Sequence, residues 1–248
     1  MMRQLSPRYN IHFMNLGYWP TETSAVDDAQ MTDLIEKNSK ETDTDRPHYY
    51  LYECALKHHN CYPALEGLQI LEVGCGQGYG MKWIQKAHSG IETIQGVDTC
   101  ASLGNSVVPG DAQHLPFPEC RFDLVLNVES SHLYNDCGRF FRECRRVLRK
   151  GGYLCWTDLR YRAKVNETRR QASQAGFIEE QWDDVTDNVL QGLQRTSARY
   201  DKVLMEAPWP VRLFSPSLRA TYCAPGTHTY ARFATKEKGY YAALWRKP

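Results

Sequence analysis

The chain has 248 residues, a length that suits one domain or one domain with a modest cap. Its 30 Lys and Arg nearly balance 29 Asp and Glu, which gives no electrostatic reason to expect nucleic acid or an anionic membrane as the main partner. No run approaches the ~20 apolar residues of a membrane span and the nine cysteines form no Cys-x-x-Cys pair, so we expect a cytoplasmic protein with reduced thiols and without a signal peptide, disulfide framework or metal site.

The first half of the chain predicts a cap followed by alternating strands and helices. Residues 21–46 are expected to be either partly mobile or helical over 25–37, and a helix is predicted over 48–59. Strands are then predicted over 68–73, 93–97, 122–127 and 153–157, and helices over 79–87, 136–148 and 165–175. The Lys-Gly-Gly run at 150–152 is expected to stop the helix before it. This alternation indicates an α/β fold with a mostly parallel sheet flanked by helices.

The pattern changes in the last third of the chain. A strand is predicted over 177–185, a helix over 186–206, a Pro-rich loop over 207–226 and a final strand over 240–245. We therefore predict three parts. They are an N-terminal cap or lid over 1–62, a nucleotide-binding core over 63–186 and 239–248, and a helical substrate lid inserted at 187–238.

A glycine-rich turn, Glu-Val-Gly-Cys-Gly-Gln-Gly-Tyr-Gly at 72–80, joins the first core strand to its helix. Glycines let the backbone approach a ligand beside the helix N-terminus. A dinucleotide turn reads Gly-x-Gly-x-x-Gly, but Tyr79 stands where its third glycine would be. Glu72 suits an ammonium better than a pyrophosphate, and Asp98 can accept hydrogen bonds from a ribose diol. A cationic, phosphate-free nucleoside fits these residues better than a nicotinamide dinucleotide, which disfavours an oxidoreductase.

Four segments resemble, in order, the class I (Rossmann-like) S-adenosylmethionine-dependent methyltransferases. They are Leu-Glu-Val-Gly-Cys-Gly-Gln-Gly at 71–78, Gly-Asp-Ala-Gln-His-Leu-Pro-Phe-Pro at 110–118, Phe-Asp-Leu-Val-Leu-Asn-Val-Glu-Ser-Ser-His at 122–132 and Arg-Val-Leu-Arg-Lys-Gly-Gly-Tyr at 146–153. The segments 15–19 and 127–134 are similar to natural-product O-methyltransferases of the microcystin polyketide and phthiotriolone type. The resemblance implies S-adenosylmethionine as cofactor and a small, moderately apolar molecule as methyl acceptor.

The resemblance also implies a set of cofactor-binding residues. The glycine turn would surround the methionine part, an acid would bind the ribose, the segment after 110 would meet the adenine, and the fourth strand would line the sulfonium side. Tyr18 and Trp19 either close over the cofactor or pack the N-terminus on the core. The residues implied are Tyr18, Trp19, Glu72, Gly74, Cys75, Gly76, Gly78, Asp98, Thr99, Asp111, Ala112, Gln113, Asn127 and Val128.

His132 is the candidate catalytic base. It follows the end of the fourth core strand, in the loop that the resemblance places beside the transferred methyl group. Methyl transfer to a hydroxyl needs positioning, and a base that removes the hydroxyl proton helps further. Histidine suits that task near neutral pH. Asp158, at the end of the next strand, could orient His132 or share its proton, whereas the alternative for both residues is a structural role.

The chain departs from the family between Asp98 and Asp111. Only twelve residues separate them, where the family has a full helix and strand. We therefore expect one helical turn at most over 99–105 and a short strand over 106–108, which would make the third strand a shortened edge or leave a rebuilt sheet edge. Three alternatives stay open: O-methylation, N- or C-methylation, and a non-catalytic cofactor-binding relative. We expect a monomer or homodimer.

Overall fold

The computed structural model describes residues 12–99, 106–207 and 209–248. Within these residues, strands and helices alternate through the middle of the chain. The helices are α1 (Ala29–Asn38), α2 (Arg46–Leu56), α3 (Tyr79–Ala87), α4 (Cys137–Val147), α5 (Val165–Gln174), α6 (Thr186–Glu206), α7 (Trp209–Arg212), α8 (Ser215–Thr221) and α9 (His228–Ala234). The strands are β1 (Gln69–Val73), β2 (Thr93–Asp98), β3 (Val107–Pro109), β4 (Phe122–Val128), β5 (Leu148–Tyr161), β6 (Ile178–Asp184) and β7 (Lys238–Arg246).

The strands form one seven-stranded sheet in the order β3-β2-β1-β4-β5-β7-β6. The five strands from β3 to β5 pair in parallel, and β7 runs antiparallel to both β5 and β6. The predicted α/β class with a mostly parallel sheet is confirmed. Because parallel strands end at the same edge, the residues that follow β1, β2 and β4 are brought to one side of the molecule.

Side chains of the central strands face two hydrophobic clusters, one on each side of the sheet. On β4, Leu124 and Leu126 belong to the cluster that packs against α2 and α3, and Val125 belongs to the cluster under α4. This alternation follows from the two-residue period of a strand. Complete burial of each such aliphatic side chain stabilises the folded state by about 1.5–3 kcal/mol. The centre of the sheet is therefore stable and holds the residues at its edge in place.

Helix α4 shows how local signals set an element. Asp136 precedes it and accepts a hydrogen bond from the Arg139 backbone N–H at 2.8 Å, which is a helix N-cap. Phe140 and Phe141 are fully buried, whereas Arg139 and Arg142 are exposed. The helix thus presents basic side chains to solvent and phenylalanines to the core. The helix ends at Val147, one residue before the predicted end.

Three element predictions differ from the structure. Strand β5 begins at 148, before the glycine pair that was expected to separate helix from strand; Gly151 has φ +79° and lies within the strand's range. The segment 207–226 was predicted to be a loop but contains α7 and α8, and α9 was not predicted. Helices of four to seven residues are too short to show a hydrophobic period, so prolines and glycines dominated the sequence signal.

Strand β3 has only three residues, Val107–Pro109, at the position where a short strand over 106–108 was predicted. It pairs in parallel with the end of β2, and Asp98 is opposite Pro109. The predicted single turn over 99–105 lies outside the described residues, apart from Thr99. The third strand is therefore an abbreviated edge.

The N-terminal segment lies against α2 and α6. The backbone N–H of Tyr18 donates to the Pro47 carbonyl at 2.8 Å, and that of Trp19 donates to the Asn188 carbonyl at 3.0 Å. A Cβ on Gly192 of α6 would lie 2.6 Å from the Tyr18 nitrogen, so this glycine permits the close approach. The segment and the inserted helix α6 thus pack on each other. The division into three parts at 62, 186 and 238 stays a prediction.

Among the described helices, none combines the length and the apolar character needed to cross a bilayer.

Candidate active site

The glycine turn follows β1 directly and leads into α3. Gly74, Gly76 and Gly78 all have positive φ, at +76°, +55° and +75°. A Cβ on Gly74 would lie 2.6 Å from the Cβ of Ser130, whereas a Cβ on Gly76 would meet nothing within 4 Å. Glycine is therefore required at 74 by a close neighbour as well as by the backbone. At Gly76 the turn is open, which leaves room for a ligand beside the backbone.

Asp98 lies beside this turn. Its Oδ2 accepts a hydrogen bond from the Gly76 N–H at 2.9 Å, and the Gly74 N–H donates to the Val97 carbonyl at 2.8 Å. The end of β2 thus fixes the shape of the turn, and Thr99 follows at the same edge. The two predicted ligand groups, the turn and the ribose acid, are neighbours in the structure.

Two buried acceptors flank Gly74. Glu72 accepts a hydrogen bond from the Tyr52 hydroxyl at 2.7 Å on Oε1, but its buried Oε2 has no partner within the described residues. Asn127 donates to the Val73 carbonyl at 2.8 Å, while its buried Oδ1 is likewise without a partner there. Burial raises the pKa of Glu72 to about 7, against the hydrogen bond from Tyr52. Each of these two oxygens can accept a hydrogen bond from a donor such as an ammonium.

The predicted adenine segment is also close to Asp98. The Gly110 N–H donates to the Asp98 carbonyl at 3.1 Å, which places Asp111 at this edge. Asp111 is exposed, and its Oδ1 accepts from the backbone N–H of Gln113 at 2.9 Å and from its side chain at 3.1 Å. Ala112 is buried in the core cluster under α4. Gln113 holds the Asp111 carboxylate, so an adenine amine would share that acceptor.

Cys75 and Val128 are buried side chains at the same edge. Cys75 is 5 % exposed, and burial raises the pKa of its thiol. A Cβ on Gly96 would lie 2.8 Å from the Met81 sulfur, and the Cys75 sulfur is closely packed at the same point. Cys75 is thus a small residue in a tight place. Val128, at the end of β4, is 6 % exposed.

His132 and Asp158 are hydrogen-bonded to each other. The Nδ1 of His132 lies 2.7 Å from Asp158 Oδ1, and its backbone N–H donates to Asp158 Oδ2 at 2.8 Å. The His132 side chain is 24 % exposed and that of Asp158 is fully buried. Within the described chain the Nε2 of His132 has no hydrogen-bond partner. Because Nδ1 is directed at a carboxylate, the Nε2 atom is presented to solvent or to a ligand.

The charge of Asp158 is held by a second group of residues. Arg160 lies 3.0 Å from Asp158 Oδ2 and donates to the Ser131 hydroxyl at 2.7 Å, and this hydroxyl donates to Asp158 at 2.6 Å. The indole N–H of Trp156 also donates to Ser131, at 2.8 Å. Burial would raise the pKa of Asp158, yet His132 and Arg160 hold it far below its ordinary value. Burial would lower the pKa of His132, but the Asp158 carboxylate outweighs this effect and raises it.

Glu129 is a residue of this edge that the sequence reasoning missed. It follows β4 with φ +48°, a backbone conformation that is rare outside glycine. Its Oε2 accepts from the Leu16 N–H and from the Tyr240 hydroxyl, both at 2.7 Å. Burial raises the pKa of Glu129 to about 7, against the hydrogen bond from Leu16. The signal was the acid in the Asn-Val-Glu-Ser-Ser-His segment, but its contacts come from the two ends of the chain.

Tyr18 and Trp19 do not contact the glycine turn in the described structure. The Tyr18 hydroxyl donates to Asp28 at 2.6 Å, and the indole of Trp19 packs on Tyr50 and lies under the Arg195 guanidinium, 3.9 Å from the ring centre. Of the two alternatives, the contacts match packing of the N-terminus on the core. Backbone hydrogen bonds to Pro47 of α2 and Asn188 of α6 hold the two residues against these helices, and their role in covering the cofactor stays a prediction.

His12 and Phe13, which the sequence analysis did not single out, contact Tyr79 at the start of α3. His12 stacks on Tyr79, the first residue of α3, with ring centres 4.4 Å apart. Two open cavities, of about 440 and 570 Å³, lie beside this stack and beside Tyr18, and neither is lined by His132. The described residues contain no group of His, Cys, Asp and Glu side chains arranged to hold a metal ion.

The residues that form this edge of the sheet match a known protein family. A family model described as a methyltransferase domain matches residues 71–156. Residues 71–156 are a methyltransferase domain. The match begins in β1, ends in β5 and contains the glycine turn, Asp98, Asp111 and His132. The sheet order and the single reversed strand agree with the Rossmann-like methyltransferase fold that the sequence resemblance implied, and that assignment is confirmed.

Relatives of the methyltransferase domain include lipid-modifying enzymes. A fatty-acid O-methyltransferase of Mycolicibacterium smegmatis is 35 % identical over 164 residues, which cover 62 % of this chain and 60 % of the relative. A phthiotriol/phenolphthiotriol dimycocerosates methyltransferase of Mycobacterium ulcerans is 31 % identical over 179 residues, covering 68 % and 64 %. The chain thus matches less than two thirds of the length of either relative.

A solved structure extends the likeness to the whole fold. The geranyl diphosphate C-methyltransferase of Streptomyces coelicolor A3(2) aligns with 99 % of this chain and 93 % of its own, with a TM-score of 0.64 and 13 % identity. At this identity the likeness concerns the fold alone.

Proposed function

We propose that the chain is an S-adenosylmethionine-dependent methyltransferase that acts on a small, lipid-like or natural-product acceptor, with His132 as the general base for O-methylation of a hydroxyl. The observation that carries the proposal is the contact between Gly74 and Ser130. Gly74 belongs to the turn and Ser130 is two residues before His132, so the predicted methionine pocket and the histidine share one sheet edge. The named relatives support a lipid-type acceptor.

The residues present fit the cofactor. The unpaired oxygens of Glu72 and Asn127 would accept hydrogen bonds from its ammonium, and Asp98 would bind its ribose hydroxyls. Asp111, Ala112 and Gln113 would hold the adenine. When bound, S-adenosylmethionine supplies a methyl group on a positively charged sulfur, which is a strong electrophile.

The chain's own task is to position the acceptor and to move its proton. Asp158 binds Nδ1 of His132, which leaves the Nε2 lone pair for the acceptor hydroxyl. As the hydroxyl oxygen gains the methyl group, its proton passes to Nε2. The buried Asp158 carboxylate then stabilises the resulting imidazolium, since the pair attracts more strongly than the same charges would in water.

A fatty-acid carboxylate is a second candidate acceptor. The raised pKa of His132 keeps more of the ring protonated near neutral pH, and a protonated ring would bind a carboxylate directly. A carboxylate has no proton to lose at this pH, so His132 would act as a binding group rather than as a base. The two acceptors therefore predict opposite effects of pH.

The first experiment measures cofactor binding. Titration calorimetry with S-adenosylhomocysteine should show binding to the wild type and at least about tenfold weaker binding to Asp98→Asn, because one charged acceptor is lost. The exposed Asp136→Asn is the matched control. Absence of binding to the wild type would remove the methyltransferase proposal.

The second experiment identifies the atom that is methylated. Long-chain fatty acids and lipid-like secondary alcohols are offered with cofactor carrying a labelled methyl group, and mass spectrometry and NMR distinguish ester, ether, N-methyl and C-methyl products. His132→Gln should lower the rate of ether formation at least about 100-fold. Unchanged turnover of the alcohol in this variant would show that His132 is not the base.

A further inference from the structure

An exposed apolar patch lies at the junction of α6 and α7. We define it by Met205, Trp209, Leu213 and Phe214, whose exposed fractions are 69 %, 69 %, 69 % and 57 %. The Leu213 N–H donates to the Trp209 carbonyl, so these two side chains are one helical turn apart on the same face. Contiguous large apolar side chains on a surface mark a binding function far more often than single ones do.

The patch is not the unpacked side of a loose segment. Beneath it the insertion has its own small core, formed by Tyr200, Leu204, Leu218, Tyr222 and Ala224. Val211, within α7, packs against that core and is half-buried. The α7 turn therefore has an inner side and an outer side.

A partly exposed ion pair joins the two helices on either side of α7. Asp201 on α6 accepts from Arg219 on α8 at 2.8 Å and from the Tyr222 hydroxyl at 2.6 Å. The two helices that flank α7 are thereby joined. The patch residues are thus presented to the outside by a supported turn.

Basic side chains border the patch. Lys202 and Arg212 are exposed, and neither has an ion-pair partner in the described part of the chain. The neighbouring acid Asp201 is already paired with Arg219, which leaves Glu206 as the one unpaired acid between 201 and 214 among the described residues. Aromatic and aliphatic side chains with adjacent Lys and Arg are the composition of a segment that lies in a membrane–water interface.

We propose that this patch docks the protein onto a bilayer surface, with Trp209, Leu213 and Phe214 inserted at the level of the headgroups and Lys202 and Arg212 facing anionic lipid. The near-neutral charge of the whole chain does not predict this, because the apolar side chains supply most of the attraction. The inference does not rest on the proposed catalytic function. It would give an enzyme with a lipid acceptor access to its substrate.

A second copy of the chain is a less suitable occupant. In a two-fold contact the same patch meets itself, so Lys202 and Arg212 of one copy would approach those of the other. Like charges in a desolvated contact repel. An anionic lipid surface instead pairs with both cations.

Trp209 makes the test direct. Of the six tryptophans, Trp83, Trp156 and Trp245 are buried, Trp19 and Trp182 are half-buried, and Trp209 is exposed. Vesicles of phosphatidylcholine alone, and with about a third phosphatidylglycerol, are added to the full chain while its emission is recorded. We expect a blue shift, quenching by brominated phosphatidylcholine, and co-sedimentation that is stronger with the anionic vesicles.

Two variants and a control separate the causes. Leu213→Ser with Phe214→Ser keeps the reporter and should weaken partitioning at least about tenfold; Lys202→Gln with Arg212→Gln should remove the preference for anionic vesicles. Val26→Ser, which changes an exposed apolar residue far along the chain, should bind as the wild type does. Circular dichroism checks that each variant is folded.

The proposal is overturned if the wild type does not bind either vesicle, or if the Leu213/Phe214 variant binds as well as the wild type. A second copy would be the occupant if sedimentation velocity showed a wild-type dimer that the Leu213/Phe214 variant does not form and that vesicles do not dissociate. This result would also overturn the proposal. Because these measurements do not use turnover, failure of the catalytic proposal leaves them unaffected.

Discussion

Asp158 holds His132 at two points, by 2.7 Å between Oδ1 and the ring Nδ1 and by 2.8 Å between Oδ2 and the backbone N–H. One buried carboxylate thus fixes both the ring and the turn that carries it. The arrangement fixes which ring nitrogen is available and raises the pKa of His132. It also means that a change at Asp158 acts on activity through His132.

Replacement of Asp158 by Asn tests this positioning role. The amide keeps the shape but loses the charge, so the pKa of His132 should fall and the ring should lose its fixed tautomer. We expect kcat/KM with an alcohol acceptor to fall about 100- to 10,000-fold, by analogy with the aspartate of serine-protease triads. Steady-state kinetics and the NMR titration of His132 measure the two effects.

The exposed Asp136→Asn is the control for that variant and should behave as the wild type does. A normal pH profile and a normal His132 titration in Asp158→Asn would show that Asp158 does not act through the histidine. Because Arg160 would lose its buried partner, unfolding by urea should also be measured, with an expected loss of about 3–5 kcal/mol.

The pH dependence of turnover distinguishes the acceptors. The pKa of His132 is raised above its ordinary value, so the neutral ring that can accept a proton forms only as pH rises through this higher pKa. With an alcohol acceptor, kcat/KM should therefore rise with pH through that pKa. With a fatty-acid acceptor held by the protonated ring, it should fall over the same range.

Glu129 has a pKa raised to about 7, so its titration could add a second pH-dependent step to the profile of kcat/KM against pH. Glu129→Gln is therefore measured beside His132→Gln. The pH-dependent step assigned to His132 must persist in Glu129→Gln and disappear in His132→Gln. The reverse result would assign the role of general base to Glu129.

Gly74 should be far less tolerant of alanine than Gly67. Both have positive φ, at +76° and +70°, so alanine strains the backbone at either position. A Cβ at 67 meets nothing within 4 Å, but a Cβ at 74 overlaps Ser130. We expect Gly74→Ala to unfold more easily than Gly67→Ala by about 1–3 kcal/mol in urea, and to lose cofactor binding. Equal stability of the two variants would contradict the close packing.

A buried charge pair away from the site should control stability. Glu53 accepts from the Trp83 indole at 2.6 Å and from His88 Nε2 at 3.2 Å, and both acidic and imidazole side chains are fully buried. Removal of the charge in Glu53→Gln should cost about 3–5 kcal/mol of unfolding free energy, because a protonated His88 is left unpaired. Urea unfolding measures it.

The same pair gives a dependence on pH with a definite sign. Burial would lower the pKa of His88, but the interaction with Glu53 outweighs this effect, so the pKa of His88 is raised. Stability from this pair is fully present below the unfolded pKa of about 6.5 and is lost as pH rises through the folded pKa. The difference in unfolding free energy between wild type and His88→Gln should therefore shrink with rising pH. A difference that grows would mean that His88 is neutral in the folded state.

The sequence was sufficient for features whose causes are local. The strand, glycine turn and helix at 69–87 follow one another along the chain, and their glycine spacing and Glu72 already distinguished the kind of nucleoside. The alternation of strands and helices predicted the sheet, because a period of two or 3.6 residues is visible in any window of ten. The acids Asp98 and Asp111 could be placed at one edge since parallel strands end there.

Contacts between distant segments were decided by the tertiary structure alone. His132 and Asp158 were named separately, but their pairing and the supporting Arg160 depend on the register of β4 against β5. The partners of Tyr18 could not be predicted from the sequence either: its hydroxyl donates to Asp28 and its backbone N–H donates to the Pro47 carbonyl.

The hydrogen bonds of Glu129 could not be predicted from the sequence either. Its partners, Leu16 and Tyr240, are 113 and 111 residues away along the chain, and no local pattern encodes such a meeting. The sequence by itself determined that a nucleoside-binding turn lies at the end of β1, because the turn is made by consecutive residues. Only the packed structure decided which acids are buried beside it, since burial and charge pairing arise when separate segments exclude water together.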